Sequence, residues 1–469
     1  MSHSTASDLS AGLIRVSAEL LPTPGTGRAA AESFVATTLA GLYDDGLPVA
    51  GSTRFRGGQA AADAALASLR IDGYATGRNE VFPERERSAT ALSPYLRHGL
   101  IRLVDVWDHV RSAGRTRDAD KLADQLLWQE YARHWYARMG HTTKQSVRWG
   151  QDPSEQPASP SLRSTIEPGM ACLELTLDEL DDDGWIPNQS RLWVAGHWTV
   201  REDRHWQEGE DLLFRRLLDG SRAANRLGWQ WAAGTGSTKP YGFTRWQVEQ
   251  RAAGLCATCD LVHQCPVENF PDDPRRTAVE QPVELRGSEQ PERYAGPDVP
   301  LRVAAPDRVW LTAESLGRDD PALRAHPDLP AVFVFDEALL ERLRLAPMRL
   351  VFLVECLAEL AETRGLELYR GDPVAILTDL AVAVTYAPVP GFRRRAARIA
   401  PAEIHPWPWV FRPNGGSVVS FSQWVEDTVP DRREASQFEP PSARASEAPT
   451  RHPASGPGHE LPSDPPHRA

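Results

Sequence analysis

The sequence predicts an α+β chain with several domains, an all-helical unit followed by a small doubly wound α/β unit. Three features carry this prediction. Apolar residues recur at helical spacing, with no strand alternation, from Leu96 to Leu218; a charged, proline-rich stretch after Phe270 holds almost no large apolar residue until Leu301; and short unbroken apolar runs follow it. The length of 469 residues is roughly three times a usual domain, which suits two or three domains and a large core.

Residues 1–70 are Ala-rich and weakly periodic, with Gly and Pro at Pro22, Pro24, Gly25, Gly57 and Gly58, so an N-terminal extension of short helices is expected there. Leu96, Leu100, Leu103, Trp107 and Val110 alternate in steps of four and three and share one face of a helix, as do Leu127, Tyr131 and Trp135. The pattern continues through Arg191–Trp198 and Leu213–Leu218, so 71–270 reads as a helical domain. The composition of 271–300 is that of an exposed interdomain linker.

In 301–429, Val309-Trp310-Leu311 and Ala331-Val332-Phe333-Val334-Phe335 read as strands covered on both faces, each fit for the centre of a parallel sheet. Leu350, Leu353, Leu357 and Leu360 mark a helix ending at Arg364-Gly365, and Leu366–Tyr369 returns as strand. From 430 to 469 the chain is Pro, Ser, Glu and Arg with little to bury, the composition of a disordered tail.

The net charge of −12 opposes a surface coated with basic side chains for nonspecific duplex binding, so any nucleic-acid contact must be local. Arg97, Arg133 and Arg201 are candidates for a local basic rim, although a solvated helix face would carry the same residues. Five cysteines are too few for a disulfide scaffold, and no apolar run resembles a signal peptide or a membrane span, so a cytoplasmic protein is expected. The 15 Trp outnumber the 13 Phe and the 9 Tyr, which directs attention to stacking or electron-transfer roles.

Thr90-Ala91-Leu92-Ser93-Pro94 opens the first strong helix with hydroxyls, backbone donors and a proline near its first turn, a plausible anion cradle as well as an ordinary cap. Cys256-Ala257-Thr258-Cys259 followed by Cys265-Pro266 places three thiols at metal-ligand spacing. Cys356 lies on the apolar side of a helix, where a buried free thiol is the better explanation, which leaves Cys172 as the fourth ligand.

An ordered set of residues then joins these motifs: Tyr74 with Arg78-Asn79, Thr90 to Ser93, Gln125 to Trp128, Asn188 with Arg191, Trp206 to Glu210, Asp219-Gly220-Ser221-Arg222, and Asn225 to Ala233. This set resembles the flavin-binding helical domain of DNA photolyases and cryptochromes over about 185 residues. The resemblance implies a U-shaped FAD held by Tyr74, Thr90, Ala91, Leu92, Ser93, Asn188, Arg191, Asp219 and Asn225. Its phosphates would lie near Thr90 to Ser93, its ring beside an Arg191–Asp219 ion pair, and its N5 edge would face Asn225. Ser221 stands where photolyases often carry Asp. Trp229 and Trp206 match the inner two positions of the family's electron relay, while the outermost position has no convincing match, Trp149 being the nearest candidate.

The stretches Val309–Leu311, Arg318–Leu323, Val334–Asp336 and Tyr369–Pro373 resemble the opening Rossmann-like α/β domain of a photolyase, which in that family precedes the flavin domain. Here it follows, so the chain resembles a circular permutation, and an antenna chromophore is left unassigned. Cys172, Cys256, Cys259 and Cys265, with Lys239-Pro240-Tyr241, resemble a bacterial photolyase branch whose cysteines hold a [4Fe-4S] cluster; zinc is the alternative for four thiolates.

The activity implied is blue-light repair of UV-damaged DNA with a flipped pyrimidine dimer, by a monomer. Gln125, Trp128 and Asn188 are its implied catalytic residues: Trp128 stacks on the lesion, Gln125 bonds a base edge in place of the Glu of many cyclobutane-dimer enzymes, and Asn188 lies between substrate and flavin. Pro187-Asn188 replaces the histidine needed for (6-4) repair, which favours the cyclobutane lesion; His98, His134 and His197 remain as nearby acids. A blue-light receptor without repair activity is the alternative.

Overall fold

The computed structural model describes residues 19–153 and 161–430. Of the expected tail, only Pro430 falls within them.

Among the described residues nine strands occur: β1 (Glu19–Leu21), β2 (Trp149–Gln151), β3 (Arg276–Ala278), β4 (Leu301–Arg302), β5 (Arg308–Leu311), β6 (Ala331–Asp336), β7 (Leu366–Gly371), β8 (Val382–Thr385) and β9 (Glu403–His405). Seven form one sheet in the order β1-β7-β6-β5-β8-β9-β4. The five inner strands are parallel, and β1 and β4 close the edges antiparallel. The order reverses between β5 and β8, which is the doubly wound arrangement expected for the C-terminal unit.

Alternation along these strands divides the core. Val309, Leu311, Phe333 and Phe335 face one apolar cluster, and Trp310, Val332, Val334 and Val384 face another. The first cluster also contains Tyr95, Leu96, Trp185, Phe214 and Leu218, so the helical unit packs directly on that face of the sheet. The crevice beyond the β5/β8 reversal, between Arg133, Asp320, Thr385 and Trp407, encloses only about 20 Å³, room for a single water.

Several local expectations are corrected. Residues 19–70 are not short helices alone: β1 pairs with β7, and the helix Arg28–Thr38 packs on the helix Pro347–Thr363, where Arg28 Nε meets Glu355 Oε1 at 2.8 Å. The stripe from Leu96 to Val110 is two helices, Ser93–Arg97 and Leu103–Ser112, broken at Gly99, whose φ of 66° and close approach to the Glu314 carbonyl leave no room for a side chain. The helical unit also contains a small ribbon, β2 paired with β3. The stretch 271–300 is anchored rather than loose: it supplies β3 and buries Tyr294, whose carbonyl accepts the Tyr386 hydroxyl at 2.9 Å.

Candidate functional site

The segment Thr90–Ser93 reaches the short helix Ser93–Arg97 through an unusual backbone. Ala91 has φ 53° and Leu92 has φ −79°, ψ −11°. A left-handed residue followed by a right-handed one turns successive N–H groups inward, the concave arrangement that receives anions. Among the described residues the N–H groups of Ala91, Leu92 and Ser93 have no hydrogen-bond acceptor. Ser93 Oγ accepts the Trp185 indole N–H at 2.9 Å, so that hydroxyl is already oriented. Tyr74, buried on the short helix Tyr74–Gly77, is held against the long helix Arg117–Met139, where Asp118 accepts the Gly73 and Ala75 N–H groups at 2.9 and 2.8 Å. A groove of about 610 Å³ runs outside this segment, along Gly73, Thr76, Glu80, Phe82 and Ser88.

Arg191, on the helix Asn188–Gly196, donates through Nη2 to Asp219 Oδ2 at 2.7 Å and through Nε to the Ile186 carbonyl at 3.0 Å. Asp219 is buried and its Oδ1 has no hydrogen-bond partner. An unpaired buried carboxylate oxygen is costly, so its retention beside a fixed guanidinium marks a position that fits a donor from a bound group. Asn225, on Arg222–Ala232, donates its amide to Glu210 through both the carbonyl and Oε1 at 2.9 Å, and Glu210 in turn meets Arg222 at 2.6 Å. Burial pushes the Glu210 carboxyl above its usual range. Asn188 is exposed at the start of its helix and joins none of these bonds.

Sequence reasoning missed what braces the Asp219 loop. Arg349 donates to the Phe214 carbonyl at 2.6 Å and to the Gly220 carbonyl at 3.1 Å, and Arg97 reaches the same Gly220 carbonyl at 3.0 Å. Arg349 is almost fully buried, and desolvation lowers its guanidinium to about 9. The available signal was an arginine inside the apolar run Pro347–Ala358.

Gln125 and Trp128 lie one turn apart on Arg117–Met139, with Gln125 Nε2 donating to Asp124 Oδ2 at 3.3 Å. The Trp128 ring is covered on one face: Phe421 stacks on it at 3.9 Å and 10°. Phe421 opens the last described helix, Phe421–Thr428, which ends a strap laid along the long helix. Glu130 Oε1 accepts the Val410 and Phe411 N–H groups at 2.7 and 3.2 Å, and Tyr131 donates to the Val418 carbonyl at 3.0 Å. His134 Nδ1 accepts the Trp424 indole N–H at 2.9 Å, which leaves Nε2 to donate to the Phe411 carbonyl at 2.8 Å. Burial raises the Glu130 carboxyl to about 7 and lowers the His134 imidazole to about 3.

His98 is lowered to about 3 by the same cause, its Nδ1 donating to the Pro94 carbonyl at 2.9 Å, and His197 is lowered with its Nε2 2.9 Å from the Thr165 carbonyl. All three are buried, and burial lowers each of them below the usual imidazole range. The expected basic rim is also corrected. Arg97 is drawn to Glu314 at 3.0 Å, the Arg133 side chain is 18% exposed beneath Trp407, and Arg201 donates to the Pro266, Phe243 and Asn269 carbonyls.

Trp206 and Trp229 are buried in one apolar cluster. A side chain at Gly209, one turn from Trp206, would collide with the Trp229 ring, so the glycine admits that ring against its helix. The Trp206 indole donates to Ser146 Oγ at 3.3 Å.

Cys172, on Ala171–Asp183, faces the turn carrying Cys256, Cys259 and Cys265. Its thiol is pushed up to about 12 by burial and then by those three sulfurs, while the Cys259 thiol donates to the Gly169 carbonyl at 3.3 Å. Among the described residues no three of these sulfurs lie within 4.8 Å of one another. Tetrahedral zinc with Zn–S of about 2.3 Å would set them about 3.8 Å apart. Cys356 stands apart, buried, accepting the Gly58 N–H at 3.2 Å.

Part of this arrangement, from within the long helix to just before the cysteine turn, coincides with a sequence match: residues 122–252 fit the family model of the FAD binding domain of DNA photolyase. This segment is similar to the FAD-binding domain of DNA photolyases. Its relatives include proteins named deoxyribodipyrimidine photo-lyase from Vibrio cholerae, 30% identical over 181 residues, and from Synechococcus, 28% identical over 207 residues. The first match covers 37% of this chain and 38% of the relative, the second 41% of each, so the chain spans about two fifths of these photolyases. Among solved structures, a Synechocystis cryptochrome aligns with TM-score 0.38 and 19% identity over 43% of this chain and 44% of its own. A class III photolyase from Agrobacterium tumefaciens aligns at 0.33 and 22%, over 41% and 42%. The photolyase-type segment contains Arg191, Asp219, Asn225, Trp206 and Trp229, whereas the cradle at Thr90–Ser93, the three clustered cysteines and the strap lie outside it. No described helix is long and apolar enough to cross a membrane.

Proposed function

We propose that this chain binds FAD in its helical unit and uses blue light to split pyrimidine dimers, cyclobutane type foremost, in UV-damaged DNA, acting as a cytoplasmic monomer. The observation that carries the reading is the ion pair of Arg191 with the buried Asp219 within a photolyase-type FAD-binding segment, one carboxylate oxygen left unpaired. The residues fit the cofactor: the inward-turned N–H groups at Ala91–Ser93 suit a pyrophosphate, and the Arg191 guanidinium suits an anionic ring. When bound and reduced, FAD supplies the light-driven electron that opens the dimer.

The chain's own contribution is positioning. Asp219 fixes the guanidinium, Arg349 and Arg97 fix the Asp219 loop, and Asn225, its amide N–H groups committed to Glu210, presents its carbonyl oxygen. Tyr74, Thr90, Leu92, Ser93 and Asn188 complete the proposed cofactor contacts, with Trp229 and Trp206 as the proposed electron relay. Gln125 and Trp128 take the flipped bases, which requires the helix Phe421–Thr428 to swing away from Trp128. The preference for cyclobutane dimers is supported by His98, His134 and His197, since burial lowers all three imidazoles and so disfavours the protonated form that a general acid needs.

Cys172, Cys256, Cys259 and Cys265 are assigned to a [4Fe-4S] cluster, with zinc as the alternative; the electrostatic influence of the three turn sulfurs on the Cys172 thiol supports one shared thiolate site. The doubly wound sheet C-terminal to the helical unit supports the circular permutation. The test is blue-light illumination of the purified chain with an oligonucleotide carrying one cyclobutane dimer. Loss of the dimer in light and not in darkness is expected. FAD-loaded protein that leaves both cyclobutane and (6-4) lesions intact refutes repair and leaves the receptor reading.

A further inference from the structure

A second group of metal-type side chains lies in the α/β unit, away from the cysteines and the flavin-binding helices. Glu403 and His405 are two residues apart on β9 and so point to the same side of the sheet. His326 follows the helix Pro321–Ala325, which packs on β8 and β9 and brings its imidazole over that side. His326 Nε2 lies 3.0 Å from Glu403 Oε2, and His405 Nε2 lies 3.0 Å from Glu403 Oε1. The three ligand atoms all fall within 4.8 Å of one another.

Three observations argue that this is more than a hydrogen-bonded network. First, His405 is 3% exposed, yet its Nε2 makes no hydrogen bond, although the Glu403 oxygen is close; the two atoms face each other without donor geometry. Second, the backbones are fixed: Tyr386 N–H donates to the His405 carbonyl at 2.9 Å, β8 pairs with β9, and Arg364 Nη1 holds the His326 carbonyl at 2.8 Å. Third, the positive group now on Glu403 is replaceable. Arg302 Nε sits 2.8 Å from Oε1, but its side chain is 68% exposed, free to move into water.

We propose that His326, Glu403 and His405 bind one divalent transition-metal ion of the zinc class. Two imidazoles and a carboxylate form a nitrogen–oxygen set, unlike the thiolates of the cysteine group, and three protein ligands leave a fourth position for water. Ligand distances of about 2.0–2.2 Å put neighbouring donor atoms about 3.3 Å apart, so the observed spacing closes on the ion with small side-chain adjustments. The half-buried side of His326 is the route of entry. Metal binding displaces Arg302 and ties the helix Pro321–Ala325 to the outer strands of the sheet.

The test uses the full chain with its cysteine-bound metal quantified beforehand, stripped of loose ions and titrated with Zn²⁺ alone. One further equivalent is expected, with a nitrogen and oxygen first shell by X-ray absorption. His326→Asn, a change at the one ligand with partial solvent access that leaves β9 untouched, weakens that binding at least about tenfold. Arg302→Ala tightens it. Equal zinc affinity in wild type and His326→Asn, a sulfur first shell for the added ion, or no uptake by either wild type or Arg302→Ala overturns the proposal.

Discussion

Removal of the Phe421 ring tests how the strap controls access to Trp128. Phe421 is buried, stacked on Trp128 at 3.9 Å, edge-on to Tyr131 at 5.8 Å and against Trp424 at 6.0 Å. A Phe→Ala change in such surroundings costs about 3–5 kcal/mol. The helix it opens has eight residues, held by Phe421, Trp424, Val425 and the Ser420 cap, too short to persist alone. The loss therefore falls on local detachment of the strap end rather than on the whole domain. Each 1.4 kcal/mol is about a factor of ten, so a closed state favoured by about 3 kcal/mol lowers apparent affinity for anything that needs the open Trp128 face roughly a hundredfold.

Phe421→Ala is expected to raise amide exchange across 421–428 and to strengthen dark binding of a dimer-bearing oligonucleotide, by up to about a hundredfold. Hydrogen exchange by mass spectrometry and fluorescence anisotropy read the two effects. Unchanged exchange contradicts the packing account. Faster exchange with unchanged DNA affinity removes Trp128 as the stacking surface.

The strap also has a built-in pH dependence. Glu130 is raised from 4.5 to about 7 in the folded protein, so the native state holds its proton longer and stability from this group falls as pH rises between those values, by on the order of 3 kcal/mol, an effect Glu130→Gln abolishes. His134, lowered from 6.5 to about 3, acts the other way: its contribution is present above the unfolded value and is lost as pH drops toward the folded one, so the two slopes cancel between about pH 4.5 and 6.5 and denaturation melts from pH 4 to 8 are expected to show a plateau there with a fall toward pH 7, which Glu130→Gln converts into a rise up to about pH 6.5 with no fall beyond it. Cys259→Ser is expected to abolish the broad iron–sulfur absorption and its iron content; a preparation carrying stoichiometric zinc instead contradicts the cluster assignment. Trp229→Phe is expected to slow photoreduction of bound FAD at least tenfold with flavin content unchanged, and an unaltered rate excludes this indole from the relay.

What the sequence disclosed was local or periodic. The unbroken runs at Val309–Leu311 and Ala331–Phe335 are neighbouring parallel strands because only strands buried on both faces lack polar alternation, and the Leu350–Leu360 stripe lies within Pro347–Thr363. The Arg191–Asp219 pair was reached through family resemblance, and the structure brings the two side chains together at 2.7 Å. The features that escaped were non-local. β1 has three residues, and nothing in Glu19–Leu21 specifies a partner as distant as Leu368–Arg370. Gly99 was hidden because the apolar spacing runs on across the break, the residues on both sides feeding one cluster. The strap was missed because its helix has only eight residues and nothing local in Phe411, Val418, Phe421 and Trp424 specifies the surface that covers them, the distant helix Arg117–Met139. Arg349 was overlooked because an arginine among leucines reads as an interruption, and its purpose becomes visible only against the Gly220 carbonyl.

Flavin content addresses the central reading most directly. The full chain, purified in the dark and then denatured, is expected to release stoichiometric FAD, with the structured absorption of a bound ring beforehand and a sharply reduced content in Arg191→Leu of equal fold stability. A chain that releases no flavin, takes up none on incubation with FAD and melts at the same temperature with and without it contradicts the account.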